Sequence, residues 1–150
     1  MQGIVVSAPG VNPGKEKQMP GTNFTGHSTR ASISWEGDSL DVLKAWPRNV
    51  QRDIGLSLLN LQEGQRPTLD TRPMQSIGQG VFELKAEDEA AWYRVVYLAR
   101  IEDTIFVLDS FMKKSRKTEK NDLNRARTRL SNVRLRLQKE KIDANRKRDK

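Results

Sequence analysis

The apolar positions between residues 33 and 61 change from strand spacing to helical spacing. Residues 33–35, Ile-Ser-Trp, alternate apolar and polar side chains, as a short strand does. Asp38 then supplies a helix N-cap, and Pro47 separates two groups of apolar residues that recur every three or four positions. Gly64 stands where a glycine commonly ends a helix. Two consecutive helices are therefore predicted, carried by Leu40, Leu43 and Trp46, and then by Val50, Ile54, Leu58 and Leu61.

A loop is predicted over residues 64–80, and after it the residues alternate in character with the period of two that is typical of strands. The stretches 81–85, 92–101 and 104–112 are rich in β-branched and aromatic residues, and their connections are short. Glu102-Asp103 supplies the turn between the second and the third stretch. These features predict an antiparallel three-stranded meander.

A last helix is predicted from about Thr118, with Leu123, Ala126, Leu130, Val133 and Leu137 on one stripe. The predicted order is β-α-α-β-β-β-α. This is an α+β fold in which a helical hairpin and a C-terminal helix pack on a small, mainly antiparallel sheet. We expect the helices on one face of the sheet and the other face open.

Residues 1–30 are rich in Gly, Pro, Ser, Thr and Asn and predict a flexible leader. One compact domain is then expected over residues 31–141, and residues 142–150 are expected to form a basic, frayed tail. No run of residues approaches the roughly 18 apolar positions of a membrane span. The N-terminus lacks the pattern of a signal peptide, so we expect a cytoplasmic protein without a membrane partner.

Composition excludes several kinds of site. The chain of 150 residues has no cysteine, which removes disulfides, thiol nucleophiles and cysteine-based metal sites. His27 is the only histidine and falls in the predicted leader, so neither a histidine zinc site nor a serine–histidine triad is expected in the domain. No metal and no cofactor are predicted.

The net charge of +8 is unevenly distributed. Residues 113–150 carry 16 Lys/Arg and 5 Asp/Glu, a net charge of +11, whereas residues 1–112 have a net charge of −3. This asymmetry favours a polyanionic partner, and nucleic acid first. A solvated, charged helix explains the same charge equally well.

Arg94 lies in the middle of the central predicted strand, where a charge is costly unless it is paired or meets a ligand. A salt bridge to Glu83 on the preceding strand is one explanation. The other is a phosphate site, because Lys85 ends that strand and a cationic run follows the third strand. Cations beside aromatic residues suit RNA. That run contains Lys113, Lys114, Arg116 and Lys117.

RNA cleavage is chemically possible with such residues. The 2′-hydroxyl is an internal nucleophile, a lysine crowded by other cations can act as a base, and an arginine can stabilise the developing negative charge.

Four sequence motifs resemble one family in their order and spacing. They are GVFELK at residues 80–85, YRVVY at 93–97, IFVL at 105–108 and FMKKSRKT at 111–118. Together they resemble the HigB-like, phage-derived branch of the RelE/ParE toxin superfamily. The resemblance covers roughly 100 of the 150 residues, from Trp35 to about Leu130.

This resemblance implies a RelE-like domain and a toxin of a type II toxin–antitoxin system. Such toxins cut mRNA, often on the ribosome, and are inhibited by a cognate helix-turn-helix antitoxin. The expected activity is a metal-independent endoribonuclease, or mRNA interferase. The implied catalytic set is Lys85 as the base, Arg94 as the phosphate clamp, and Lys113 or Lys114 as stabiliser or acid. RNA contacts are expected at Lys117, Arg116, Arg100 and Tyr93.

Asp109 departs from the family pattern, which commonly has a histidine at that position. Its carboxylate would orient a lysine, act as a base or weaken the activity. Alternative functions therefore stay open: a non-catalytic phage or plasmid protein of the same fold that binds RNA, a ribosome or a host protein, a ParE-like gyrase inhibitor, or a DNA-binding regulator.

Overall fold

The computed structural model describes residues 30–115 and 119–148. The predicted leader therefore lies outside the described residues apart from Arg30, as does His27. The elements are β1 (Ser32–Trp35), α1 (Ser39–Lys44), α2 (Arg48–Gln62), β2 (Asp70–Pro73), β3 (Val81–Glu87), β4 (Trp92–Ile101), β5 (Thr104–Lys113) and α3 (Lys120–Arg148). The predicted α+β class, with a helical hairpin and a C-terminal helix on a mainly antiparallel sheet, is confirmed.

The sheet has five strands in the order β1-β5-β4-β3-β2. The meander β3-β4-β5 is antiparallel throughout, and β1 adds to β5 as a parallel strand. Glu102 adopts a positive φ of 54° in the two-residue turn between β4 and β5, where the sequence predicts a turn. The central strand β4 thus lies between two long partners.

Strand β2 was not predicted, because residues 64–80 were assigned to a loop. Asp70 and Pro73 have low intrinsic strand preference, and Pro73 cannot donate a backbone hydrogen bond. Pairing with β3 makes this segment a strand, since Asp70 lies opposite Lys85 and Arg72 lies opposite Glu83. A short edge strand of this kind depends on its neighbour rather than on its own sequence.

Both faces of the sheet bury apolar side chains, so the expectation of one open face is wrong. Val95 and Tyr97 point to the face covered by α1 and α2, where they join Leu43, Ile54 and other apolar residues. We call this the hairpin face.

The opposite face carries Val96 and Leu98, which pack with Ala126, Leu130 and Val133 of α3. We call it the α3 face. It is covered because the apolar stripe of α3 needs a surface on which to pack, and the sheet supplies one.

One extra residue in β5 changes which side chains share a face. Tyr97 pairs with Val107 and Val96 pairs with Asp109, so Leu108 is inserted as a β-bulge. Leu108 faces α3. Asp109, although it is the next residue, faces α3 as well, because the bulge shifts the alternation of side chains by one position. Without the insertion, alternation would place Asp109 and Lys113 with Val107 on the hairpin face.

Arginines of α3 attach the helix to the turn between β1 and α1. Arg136 donates two hydrogen bonds to the Glu36 carboxylate, at 2.9 and 3.1 Å, and Arg129 donates one to Asp38 at 2.8 Å. Asp38 occupies the N-cap position of α1, but its side chain makes no capping hydrogen bond. Gly37 between these acids has a φ of +54°, and a Cβ there would overlap the Arg129 guanidinium. The turn is thus shaped to accept α3.

Helix α3 is continuous to Arg148, and its residues beyond Leu137 are exposed. The predicted boundaries at residues 31, 141 and 142 stay predictions.

The packing of α3 can be tested with two identical substitutions on one helix. Leu130 is 3% exposed and Leu135 is 62% exposed. Leu130→Ala should lower the free energy of unfolding by about 2–5 kcal/mol, because it leaves a cavity under the helix. Leu135→Ala should change it by less than about 0.5 kcal/mol. Urea denaturation measures both, and equal effects would contradict the described orientation of α3.

The contact between Glu36 and Arg136 predicts sensitivity to acid. Burial raises the pKa of Glu36, but hydrogen bonds from Arg136 and Ser34 outweigh it, so the pKa lies below its usual value. The ionised carboxylate therefore stabilises the fold above the pKa of the unfolded chain, and this contribution is lost as the pH falls through the lower, folded-state pKa.

The variant Glu36→Gln should be less stable than the wild type at pH 7, and the difference should shrink below about pH 4. Thermal unfolding followed by circular dichroism over this range measures the difference. If the stability difference between the wild type and Glu36→Gln stayed constant down to pH 2, the ionised carboxylate would not be its cause.

Candidate functional site

Arg94 lies on the α3 face as the third residue of β4, near the start of the strand, between Lys85 of β3 and Phe111 of β5. Its side chain is only 6% exposed. One terminal nitrogen, Nη1, donates to the backbone oxygens of Tyr93 at 3.0 Å and Ala86 at 3.4 Å. Burial is the main reason that the pKa of Arg94 is lowered, and Glu83 opposes this shift. The guanidinium is therefore held rigidly among backbone carbonyls.

Glu83 is the acidic partner of Arg94. Its Oε1 lies 3.7 Å from Arg94 Nε and 3.5 Å from Arg72 Nε, and its side chain is 1% exposed. These distances are too long for strong hydrogen bonds. Glu83 Oε2 and Arg94 Nε are both buried without a hydrogen-bond partner among the described residues. The salt bridge between Arg94 and Glu83 that the sequence suggested is present, but it does not satisfy the Arg94 Nε donor or the Glu83 Oε2 acceptor.

Lys113 completes the group at the end of β5. It lies opposite Trp92 in the register and is 6% exposed. Burial lowers the pKa of its ammonium group, and the nearby charge of Arg94 lowers it further. Both effects destabilise the charged form, which makes the amine a better proton acceptor than an exposed lysine.

We call Arg72, Glu83, Lys85, Arg94 and Lys113 the charged cluster. They share the α3 face through the register of β2, β3, β4 and β5. The sequence placed Lys85, Arg94 and Lys113 together and named Glu83 as a possible partner of Arg94. It missed Arg72, because that residue falls in the unpredicted strand β2.

Lys114 directly follows β5 and is exposed. Arg116 and Lys117, expected as RNA contacts, lie outside the described residues.

Two other predicted RNA contacts lie away from the charged cluster. Tyr93 is 2% exposed on the hairpin face, where its ring packs 5.0 Å from that of Trp46 and its hydroxyl donates to Asp88. It is a core residue on the face opposite Arg94, and its expected contact with RNA stays a prediction. Arg100 lies six positions along β4, about 20 Å from Arg94, and donates to the backbone oxygen of Glu102 in the turn.

Asp109 binds α3 and does not project among the predicted catalytic residues. Its buried carboxylate accepts hydrogen bonds from Arg125 Nε and Arg129 Nη1, all at 3.1 Å. Burial raises the pKa of Asp109, while the two arginines act against that shift. Glu83 and Asp122 oppose the lowering of the pKa of Lys113. Asp109 therefore anchors α3 in this geometry, and its expected effect on the lysines stays a prediction.

Asp109 also closes an exposed sheet edge. β1 ends opposite Val107, whereas β5 continues to Lys113. Along this open part, Asp109 Oδ1 accepts the backbone N–H of Ser110, and Arg129 donates to the backbone oxygen of Leu108. Side chains thus satisfy backbone groups that would otherwise be available to another strand.

Within residues 30–115 and 119–148, no group of three or more acidic or histidine side chains has the arrangement of a metal site. None of the described helices is long and apolar enough to cross a membrane.

Comparison with known proteins identifies one matching family. Residues 41–131, more than half of the chain, match the family described as "Phage derived protein Gp49-like (DUF891)". The match confirms the resemblance to a phage-derived, RelE/HigB-type toxin family that the motifs indicated. No curated protein matches the sequence significantly.

Among solved structures, the chain is similar to the E. coli toxin RelE, determined as a double arginine-to-alanine mutant in the free state. The two are 16% identical, with a TM-score of 0.44 over 58% of this chain and 85% of that chain.

The pairing of Glu83 with Arg94 can be tested by a double-mutant cycle. Arg94→Met should lower the free energy of unfolding by about 3 kcal/mol, because it leaves a buried carboxylate without its nearest buried cation. Adding Glu83→Gln should recover much of this loss. Arg52→Met, on the exposed side of α2, is the control and should change stability by less than about 0.5 kcal/mol. Additive losses in the double variant would contradict the pairing.

Proposed function

The chain belongs to the phage-derived Gp49-like family, and from this membership we propose that it is the toxin of a type II toxin–antitoxin system and cleaves mRNA without a metal. The observation that carries the proposal is Lys113, a buried lysine with a lowered pKa beside a buried arginine. Groups of this kind are typical of proton-transfer sites.

In the proposed reaction, the RNA 2′-oxygen attacks the adjacent phosphorus and the bond to the 5′-oxygen breaks. The proton of the 2′-hydroxyl passes to a lysine amine, and the leaving 5′-oxygen takes up a proton. The products are a 2′,3′-cyclic phosphate and a 5′-hydroxyl end. The charge that develops on phosphorus is stabilised by cations.

The lowered pKa favours Lys113 as the group that exchanges protons. Lys85 lies across from Arg94 and is half-buried, so it is suited to contact the phosphate with Arg94. Lys114, which is exposed directly after β5, is a further candidate RNA contact. Lys117 and Arg116 remain candidate RNA contacts.

The proposed partners are mRNA on the ribosome and a cognate helix-turn-helix antitoxin. The proposed site of action is the cytoplasm, and no cofactor is required by this chemistry.

A second candidate function is a binding protein of the same fold that does not cleave. It is favoured by the 6% exposure of the Arg94 side chain and by its contact with Glu83, since a phosphate must displace or supplement that acid. In this alternative the charged cluster stabilises the sheet, and other basic surfaces bind RNA, a ribosome or a host protein.

Mapping of cellular RNA ends separates these functions. After induction of the chain without an antitoxin, new RNA ends should carry a 5′-hydroxyl, so they should ligate to an adaptor only after phosphorylation by a kinase. Lys113→Met should reduce these ends by about 100-fold, the scale of one lost acid–base group. Lys85→Met should also reduce them by about 100-fold, the scale of one lost group that stabilises the developing charge. Lys44→Met, an exposed lysine on α1, is the control and should cleave as the wild type does.

Urea denaturation of each variant identifies any loss that is due to unfolding. Intact RNA together with growth arrest would contradict cleavage and favour gyrase inhibition or binding. Intact RNA with normal growth would contradict the toxin function altogether. Cuts with 5′-phosphate ends would contradict the 2′-hydroxyl mechanism.

A further inference from the structure

The C-terminal part of α3 extends beyond the packed domain. The buried residues of this helix end at Val133, Leu137 is partly buried, and residues 138–148 are all exposed. At 1.5 Å per residue, these eleven residues extend about 16 Å. We call residues 138–148 the arm. The family match ends at residue 131, so the arm lies outside it.

The arginines in the first half of α3 are engaged by the domain. Arg125 and Arg129 bind Asp109, and Arg136 binds Glu36. Arg127 and Arg134 donate to the backbone oxygens of Ser76 and Gln79 respectively. These five guanidiniums hold the helix in place, so the large positive charge of the C-terminal region is not all available to a partner.

The cations of the arm are differently placed. Lys139, Lys141, Arg146 and Lys147 are exposed and form no hydrogen bond or ion pair with the described residues. Arg148 contacts only Asn145, on its own helix. The arm carries five Lys/Arg against Glu140 and Asp143, a net charge of +3.

The pattern of the arm also limits the kind of partner. Ile142 is its only large apolar residue and is 48% exposed. A helix that inserts into a membrane surface needs a continuous apolar face, and a helix that packs on a protein needs an apolar stripe. The arm has neither, but its exposed cations lie along a continuous helix and suit a backbone of regularly spaced phosphates.

We propose that the arm is an anchor that binds the phosphate backbone of RNA, separately from the charged cluster. The choice of RNA over DNA rests on the proposed function, whereas the phosphate contact rests on the arm alone. The anchor would hold the domain near RNA and raise the local concentration of the substrate at the sheet.

Two full-length variants with equal charge test this proposal. The arm variant carries Lys139→Gln, Lys141→Gln, Arg146→Gln and Lys147→Gln. The control variant carries Lys44→Gln, Arg48→Gln, Arg52→Gln and Arg66→Gln, which are exposed positions in and after the helical hairpin. Each variant loses four positive charges, so the two differ only in where the charge is removed.

Binding to a 20-base-pair RNA duplex is measured by fluorescence anisotropy between 50 and 300 mM NaCl. The arm variant should bind at least 10-fold more weakly at 100 mM, and its slope of log K against log salt should be about 3 units shallower, because each lost phosphate contact removes nearly one unit. The control should change affinity by less than 3-fold. Circular dichroism should show the same helix content in both variants.

Equal weakening in both variants would overturn the proposal, because net charge alone would then explain the binding. No weakening in the arm variant would also overturn it. The arm variant should also bind a DNA duplex of the same sequence more weakly than the control does, because contacts to phosphates alone do not distinguish DNA from RNA. Loss of binding to vesicles containing 30% phosphatidylserine, with RNA binding unchanged, would show a membrane contact and overturn the proposal.

The anchor and the proposed function can fail independently. The duplex measurement involves no cleavage, and the mapping of RNA ends with Lys113→Met involves no change in the arm. If the arm binds RNA but the chain does not cleave it, the proposed nuclease activity is excluded and the proposed anchor is retained.

Discussion

The β-bulge at Leu108 is the constraint on which the rest of the structure depends. The extra residue turns Asp109 and Lys113 toward the α3 face, on which Arg94 already lies. Asp109 can then accept hydrogen bonds from Arg125 and Arg129, which fixes α3 over one part of that face. Lys113 reaches the other part, where the charge of Arg94 acts on its pKa. One insertion thus sets both the helix packing and the composition of the charged cluster.

The α3 face is divided between apolar packing and charge. Val96 and Leu98 lie under α3, and the charged cluster occupies the neighbouring end of the same strands. Placing Glu83 and Arg94 in a nearly buried position is costly, and an apolar pair of similar size would commonly be at least as stable. Their contact is long, and Glu83 Oε2 and Arg94 Nε have no hydrogen-bond partner among the described residues, which supports the proposed phosphate site.

The positive charge of the C-terminal region serves two purposes in this structure. The five arginines between residues 125 and 136 hold α3 against the sheet and the turn after β1, where acids and backbone oxygens receive them. The lysines and arginines of residues 138–148 have no such partners among the described residues. A count of charges along the sequence combines these two groups, although only the second is available to a polyanion.

The sequence by itself determined the local elements and the family. Apolar spacing predicted α1, α2, the meander and α3, because those preferences act over a few residues, and the motifs around Arg94 and Lys113 indicated the family. Tertiary structure alone made β2 a strand, since its residues gain pairing only from β3. It also placed Tyr93 in the core and Asp109 against α3. Alternation along a strand predicts a face only when the register is known, and the bulge at Leu108 is set by contacts between strands that are distant in the sequence.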